Sequence, residues 1–269
     1  MKERSRIATV TFGLALGLSL SACTGTTGGE IVVFDAFAAG PEDAVAGQPY
    51  TFTTSRGYDV TLTRAKLHVG AVYLNRSRPS SVASDTSCQL PGIYVAEVTQ
   101  GMDVDVLRPD LQPFPEQGTS TTDRASTAEV WLFGGGDIND TSDATVILDL
   151  AGTAQKEGQT YPFEGSVTIA HNREIPAPSD SLPGANPICK QRIVSPIPVD
   201  LTATQGDSLV LRVDPRGLFA NAQISLLSKV SEDPPLYHFR DDGDDAPSRA
   251  LYSGLRAATG TYSVTWERQ

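Results

Sequence analysis

The sequence predicts an all-β protein, a single antiparallel β-sandwich with long disulfide-linked loops and at most one short helix. Apolar and polar residues alternate with period two over most of the chain, as they do in strands that bury one face. The alternating runs are rich in Val, Ile, Thr and aromatic residues and are bounded by Gly, Pro, Asn and Asp. Helical periodicity is scarce, and its main instance is 218–227, introduced by Asp214-Pro215.

The first 22 residues have the features of a secretory signal peptide. Lys2, Arg4 and Arg6 form a positive n-region, and residues 7–20 form an apolar stretch too short to span a bilayer. The stretch ends in Leu20-Ser21-Ala22-Cys23, which resembles the lipobox of bacterial lipoproteins. The resemblance implies cleavage before Cys23 and acylation of that cysteine, which then anchors the chain to a membrane.

We therefore expect residues 1–22 to be removed, residues 23–30 to form a flexible tether, and residues 31–269 to form one β-sandwich domain. Thr24 after the acylated cysteine is compatible with sorting to the outer membrane, so we expect a lipid-anchored protein of the cell envelope. The net charge of −11 argues against nucleic acid as a partner and against electrostatic adhesion to anionic lipid. The lipid must then hold the chain at the membrane.

Eight or more strands are expected after the tether. In chain order the alternating runs are 31–34, 58–63 continued through 67–73, 129–133, 145–151, 161–169, 197–203, 209–213 and 262–266. Tight turns at 155–159 and 204–207 favour an antiparallel arrangement. Trp131 and Trp266 lie within such runs, and we expect both of them in the core.

Four connections are long and rich in Pro, Ser, Gly and Asp, namely 75–92, 107–127, 171–192 and 231–255. Loops longer than about 12–15 residues tend to be functional or disordered. Cys88 and Cys189 lie in the first and third of them and form an even pair in an oxidising compartment, which predicts a disulfide rather than two free thiols. The linked loops are a candidate binding surface, although the bridge could equally serve only to restrain them.

Motifs of catalysis are absent from the sequence. It has no Gly-x-Ser-x-Gly, no His-Glu-x-x-His, no Cys-x-x-Cys and no phosphate-binding glycine loop. This favours a non-catalytic binding or interaction domain with a protein or a small ligand as its partner. The first alternative is a periplasmic or surface lipoprotein that binds a metal, copper first. The second alternative is a hydrolase whose Ser, His and Asp converge only in the folded chain.

Two sets of residues are candidate metal ligands. His68 and His171 with a carboxylate would suit copper or zinc, since neutral imidazole is a common ligand of both. Asp137, Asn139 and Asp143 place oxygen atoms at alternate positions of a turn, which suits calcium, although the central Gly and terminal Glu of a helix-loop-helix site are missing. The alternative for the second set is a solvated turn.

Two further segments carry a family resemblance. Residues 57–74 and the segment from Gly152 to Phe163 resemble extracytoplasmic β-sandwich proteins similar to methanobactin partner proteins. The resemblance implies a sandwich and a copper site formed by histidines and a modified tryptophan. A complete set of copper ligands cannot be matched to this sequence residue by residue.

Overall fold

The computed structural model describes residues 29–77, 92–171, 188–241 and 245–268. The predicted signal peptide, the acylated Cys23, most of the tether and Cys88 lie outside the described residues. Lipidation of Cys23 and the Cys88–Cys189 disulfide therefore stay predictions. Cys189 itself is fully buried.

Within these ranges the chain forms seventeen strands, three α-helices and one 3₁₀ helix. The first nine strands are β1 (Ile31–Phe34), β2 (Ala36–Ala39), β3 (Tyr50–Thr53), β4 (Asp59–Val69), β5 (Ala71–Asn75), β6 (Tyr94–Val98), β7 (Met102–Asp105), β8 (Gln112–Pro113) and β9 (Gly118–Thr121). The others are β10 (Arg124–Trp131), β11 (Val146–Lys156), β12 (Gln159–Thr168), β13 (Ile193–Thr202), β14 (Asp207–Val213), β15 (Ser228–Glu232), β16 (Pro235–Phe239) and β17 (Tyr262–Arg268). The helices are α1 (Ile188–Arg192), α2 (Pro215–Leu218) and α3 (Ala246–Leu255), and the 3₁₀ helix is Ile224–Leu226.

The strands form three sheets. A six-stranded sheet has the order β1-β9-β6-β5-β10-β13, a seven-stranded sheet has the order β15-β16-β12-β11-β4-β3 with β7 also paired to β4, and a four-stranded sheet has the order β17-β14-β2-β8. Every pair in the described part of the chain is antiparallel except β12–β16 and β14–β2, which are parallel. The mostly β, mostly antiparallel prediction is confirmed, and a third sheet is added to the two that a sandwich requires.

The six-stranded and seven-stranded sheets contribute to one hydrophobic core. Leu74 and Val130 enter it from the first sheet, and Leu62 and Leu148 enter it from the second. The chain passes from one sheet to the other at Gly70, between β4 and β5. A Cβ at this position would collide with the backbone carbonyl and ring of Phe133, so the crossing requires glycine.

The predicted turn at 155–159 is confirmed as the hairpin between β11 and β12. Its two central residues, Glu157 and Gly158, have φ angles of 52° and 75°. Positive φ at both positions is the signature of a two-residue hairpin turn whose twist matches the flanking strands. This hairpin sets the register of β11 and β12, which pair along almost their whole lengths.

The prediction of at most one short helix is wrong. The expected helix at 218–227 is two separate pieces, α2 and the 3₁₀ helix. The longest helix, α3, lies inside the predicted loop 231–255. It begins at an Asp245 cap, whose carboxylate accepts a hydrogen bond from the Ser248 backbone N–H at 2.7 Å, and it buries Leu251 and Leu255 one turn apart. The preceding run of aspartates looks like a loop in the sequence and conceals this cap.

The predicted loop 107–127 is also wrong in part, since it contains β8 and β9. These strands have two and four residues, too few for a period-two pattern to be recognised. β8 pairs with β2 at the edge of the four-stranded sheet, and β9 pairs with β1 on one side and β6 on the other. None of the helices formed by the described residues is long and apolar enough to cross a bilayer.

Candidate functional site

Strand alternation exposes a set of polar and aromatic side chains on the six-stranded sheet. On β10, Ala128 and Val130 enter the shared core, so Glu129 and Trp131 point to the opposite face. On β5, Val72 and Leu74 enter the core, so Tyr73 also points to that face. The local sequence therefore places a carboxylate and two aromatic rings on the outer side of adjacent strands.

The register brings two carboxylates to the two sides of one ring. Tyr73 is directly opposite Glu97 on β6 and directly opposite Glu129 on β10. Directly opposed residues have Cβ atoms about 4.5–5.5 Å apart, close enough for their side chains to interact. We call the group formed by Tyr73, Tyr94, Glu97, Glu129 and Trp131 the aromatic–carboxylate face.

The aromatic rings of this face pack around Tyr73. Its ring centroid lies 4.5 Å from that of Trp131 and 5.0 Å from that of Tyr94, and the planes are tilted by 46° and 56°. These separations are typical of favourable aromatic pairs. Tyr94 is 41% exposed, so the cluster is open to solvent on the side of β6.

Glu129 is fully buried beneath these rings. Its Oε2 accepts hydrogen bonds from Trp131 Nε1 at 3.1 Å and from the Tyr94 hydroxyl at 3.4 Å, and its Oε1 accepts one from Ser195 Oγ at 3.3 Å. Burial raises the pKa of the Glu129 carboxyl, and the hydrogen bonds from Trp131, Ser195 and Tyr94 only partly oppose that shift. The Asn75 amide lowers this pKa as well. All of these donors are neutral, and no cation of the described chain pairs with this carboxylate.

The same carboxylates act on the tyrosines. Burial is the main cause that raises the pKa of the Tyr73 hydroxyl, followed by the charges of Glu97 and Glu129. Burial and the Glu129 carboxylate also raise the pKa of Tyr94. Both phenols therefore stay neutral at physiological pH, and the face combines neutral rings with negative charge.

A shallow cavity of about 270 Å³ adjoins the face. It is lined by Tyr94 and Glu97 together with Ile31, which is 79% exposed, and the threonines of β9. Glu97 is exposed and has no ion-pair partner among the described residues. The cavity thus offers an apolar wall beside an accessible carboxylate.

The predicted calcium ligands lie in a turn whose carboxylates bind the backbone. Asp137 Oδ1 accepts a hydrogen bond from the Asn139 N–H at 2.9 Å. Asp143 Oδ2 accepts one from the Gly134 N–H at 2.8 Å, and its Oδ1 accepts one from the Thr145 N–H at 3.0 Å. Burial opposes ionisation of Asp143, but these hydrogen bonds outweigh it and lower the pKa of the carboxyl.

The cation of this turn is Arg192, the last residue of α1. Its fully buried guanidinium donates from Nη1 to Ile138 O and from Nη2 to Asp140 O, both at 2.7 Å, and from Nε to Ile169 O at 2.9 Å. Nη2 also lies 3.9 Å from Asp143 Oδ2. The calcium hypothesis for Asp137, Asn139 and Asp143 stays a prediction, and the geometry supports the alternative of a structural turn.

His68 forms a pair with an aspartate from the neighbouring strand β7. Its Nδ1 lies 2.7 Å from Asp103 Oδ1, whereas its Nε2 is buried and has no hydrogen-bond partner among the described residues. A cavity of about 320 Å³ beside it is also lined by Lys66, Asp149 and Ser166. An imidazole with one nitrogen fixed by a carboxylate can use the other as a base or as a metal ligand.

The structure pairs His68 with Asp103 and leaves His171 exposed just beyond the end of β12. No group of three or more His, Cys, Asp or Glu side chains in the described ranges could hold a metal ion. The residues in these ranges therefore do not complete a copper centre, and the His68/His171 copper site stays a prediction.

Tyr73, Glu129 and Arg192 are not among the candidate site residues predicted from the sequence. Glu129 could have been predicted to share a strand face with Trp131, because the two residues are two positions apart in an alternating run. Trp131 was expected in the core, whereas it lies on the opposite face with Glu129 and is partly exposed. Trp266, in contrast, packs against the core, with its ring 4.7 Å from that of Phe34.

No family model matches the chain, and no curated protein matches it. Among solved structures, the chain is similar to MbnP from Methylosinus trichosporium, with 10% sequence identity and a TM-score of 0.40. The similarity covers 88% of this chain and 99% of that one. At this identity and TM-score the likeness assigns neither a family nor an activity.

Proposed function

We propose that this chain is a lipid-anchored binding protein of the cell envelope that holds a small ligand on the aromatic–carboxylate face and catalyses no reaction. The observation that carries the proposal is the fully buried Glu129, which no cation of the described chain neutralises. An uncompensated buried carboxylate disfavours folding, and a glutamine or an apolar residue would serve stability better. A ligand that completes the site is a functional reason for its presence.

The anchoring half of the proposal rests on the n-region, the apolar stretch and the Leu20–Cys23 lipobox. Under this proposal the domain lies outside the cytoplasm and is anchored to the outer membrane by the lipid on Cys23, through the short tether of residues 23–30. In the full chain, Cys23→Ala is expected to abolish acylation, measured by mass spectrometry of the N-terminal peptide. The protein should then no longer fractionate with membranes. Membrane retention identical to that of the parent would refute the anchor.

The binding half is tested by ligand-observed NMR on the full lipoprotein in a non-ionic detergent, with a panel of small cations, anions and neutral apolar compounds. At least one class is expected to bind, and Tyr73→Leu is expected to abolish that binding. Tyr237→Leu is the matched control, since Tyr237 is also partly buried against another ring, that of Tyr161 at 5.4 Å, but lies on the seven-stranded sheet. Absence of binding by every class, or binding that Tyr73→Leu leaves intact, would overturn the proposal.

A second candidate is hydrolysis at His68. The specific observation is that Asp103 fixes Nδ1 of His68 and that Ser166 lines the same cavity as this pair. A base oriented by a carboxylate beside a serine is the arrangement of nucleophilic hydrolases. The His68 Nε2 makes no hydrogen bond to any residue that the structure describes, so Ser166 would have to approach it when substrate binds.

This candidate is tested with a fluorophosphonate, which labels activated serines. Labelling that is lost in Ser166→Ala and in His68→Ala would support a hydrolase. Absence of labelling in the parent chain would eliminate this candidate and leave the binding protein unaffected.

A further inference from the structure

We infer that the ligand of the aromatic–carboxylate face is a small organic cation, an ammonium with apolar substituents. This inference rests on the proposed function and names the chemical class that the site would take. It is carried by the row Glu97–Tyr73–Glu129, in which two carboxylates lie directly opposite one aromatic ring. Neither carboxylate has a cationic partner in the part of the chain that the structure describes.

The rings supply the second attraction. A cation placed over an aromatic face is attracted by the ring quadrupole, most strongly over tryptophan, and the attraction grows when the site is dry. Trp131 and Tyr94 pack on Tyr73 with tilted planes, so their faces point in different directions around it. Glu129 is buried directly beneath and adds a negative charge in a medium of low polarity, where charge interactions are stronger than in water.

The adjoining cavity defines the size and the remaining chemistry of the ligand. Its volume of about 270 Å³ admits a small molecule. Its lining combines the exposed carboxylate of Glu97 with the apolar side chain of Ile31. An ammonium group carrying alkyl substituents matches this combination, because its charge meets Glu97 and the rings while its carbon atoms cover Ile31.

Choline and its neutral isostere 3,3-dimethylbutan-1-ol are the probes that test the class of ligand. The two molecules have nearly the same shape and differ in the charge of the central atom. Titration of the full lipoprotein in a non-ionic detergent, followed by calorimetry, should show saturable binding of choline. The neutral alcohol should bind about tenfold more weakly, the effect of a cation–π and carboxylate contact of moderate strength.

Substitutions assign the effect to the two carboxylates. Glu97→Gln and Glu129→Gln should each weaken choline binding several-fold and leave binding of the alcohol unchanged. Glu164→Gln removes a carboxylate from β12 of the other sheet and should change neither. Added salt should weaken choline binding in the parent chain, since Glu97 is exposed and its attraction is screened.

The outcomes separate this inference from the proposed function. If the alcohol binds as tightly as choline and both require Tyr73, the face binds small ligands and the cation inference falls. If choline binds equally well to both glutamine variants, the cation inference falls as well. If neither these probes nor any class of the wider panel binds, the proposed function falls with it.

Discussion

Two regions of this protein hold carboxylates out of water, and they differ in where the balancing positive charge comes from. In the turn between β10 and β11, Asp143 is held by backbone N–H groups, and the buried guanidinium of Arg192 lies 3.9 Å away. On the aromatic–carboxylate face, the described residues that donate hydrogen bonds to Glu129 are all neutral. A cation of the chain itself lies beside Asp143, whereas no cation of the described residues pairs with Glu129.

This difference separates a structural acidic turn from a candidate site. The sequence of the turn, with four acidic or amide residues in close succession, looks more like an ion site than the isolated Glu129 does. In the folded chain Arg192, from a distant helix, supplies a cation to the turn, which supports the structural turn over the calcium site. The isolated Glu129 is the carboxylate for which a ligand could supply the missing charge.

Removal of the internal cation is expected to have the largest effect. Arg192→Met keeps most of the side-chain volume but leaves the carbonyls of Ile138, Asp140 and Ile169 without their donor. Loss of one partner from a buried charged network costs about 3–5 kcal/mol of unfolding free energy. Chemical denaturation of the full chain measures this loss.

Arg124→Met is the matched control for this prediction. Arg124 forms a two-fold hydrogen-bonded pair with Asp200, but both side chains are largely exposed, and surface pairs contribute little. No measurable change in stability is expected. If Arg192→Met were as stable as the parent, the turn would not depend on its internal cation. The proposed difference between this turn and the aromatic–carboxylate face would then not hold.

Asp143→Asn tests the same turn from the side of the anion. The substitution replaces one of the two acceptor oxygens by an NH₂ group, which would face a backbone N–H. We expect a loss of about 1–2 kcal/mol at pH 7, the scale of a hydrogen bond to a charged group.

The stability loss in Asp143→Asn should depend on pH, because the folded chain shifts the pKa of Asp143. The folded chain lowers the pKa of Asp143 below its usual value of 3.8. Its contribution to stability is therefore present above pH 3.8 and disappears as the pH falls through the lowered pKa. Denaturation at pH 7 and in acid should show the difference between parent and variant shrinking in acid. A difference that does not depend on pH would show that the charge of Asp143 is irrelevant.

Glu129→Gln should have the opposite sign. The folded chain raises the pKa of Glu129 above its usual value of 4.5, so ionisation of this group costs stability as the pH rises above 4.5. The glutamine variant is expected to be more stable than the parent at pH 7, by on the order of 1 kcal/mol, the scale of a buried polar mismatch. The gain should vanish below pH 4.5, as followed by chemical denaturation across this range.

A destabilised Glu129→Gln variant at pH 7 would contradict the view that the carboxylate is uncompensated. The control is Glu164→Gln, which alters a partly exposed carboxylate on β12 and should leave the stability at pH 7 unchanged. Asp143→Asn should lower the free energy of unfolding at pH 7, and Glu129→Gln should raise it. Opposite signs at the same pH would show that the folded chain stabilises the charge of Asp143 and not that of Glu129.

The main features of the fold could be predicted from the sequence because period-two alternation reports one buried face directly. The strands β1, β4, β11 and β12 and the hairpin at Glu157-Gly158 follow from it. The helix α3 could not be predicted in the same way, because its Asp245 cap is preceded by acidic residues that also occur in loops. The very short β8 and β9 exist only because neighbouring strand edges pair with them.

The candidate site was less predictable, because it depends on register. Alternation alone places Tyr73 and Glu129 on one face of their own strands, but only the pairing of β5 with both β6 and β10 brings Glu97 and Glu129 to the two sides of Tyr73. The role of Arg192 was hidden for a related reason. Its three acceptors lie 23 to 54 residues away in the sequence, and no local pattern connects them.

Tyr94→Phe is expected to have the smallest effect, and it tests how the charge of Glu129 is held. The substitution keeps the ring against Tyr73 and removes only a hydroxyl that donates to Glu129 Oε2 at 3.4 Å, a long hydrogen bond. We expect a loss of roughly 0.5 kcal/mol or less at pH 7. Since this hydrogen bond favours the ionised carboxylate, the loss should be smaller still below pH 4.5, where Glu129 is protonated. A loss that is larger in acid than at pH 7 would mean that the hydroxyl stabilises the neutral acid, and the negative charge assigned to this face would then have to be reconsidered.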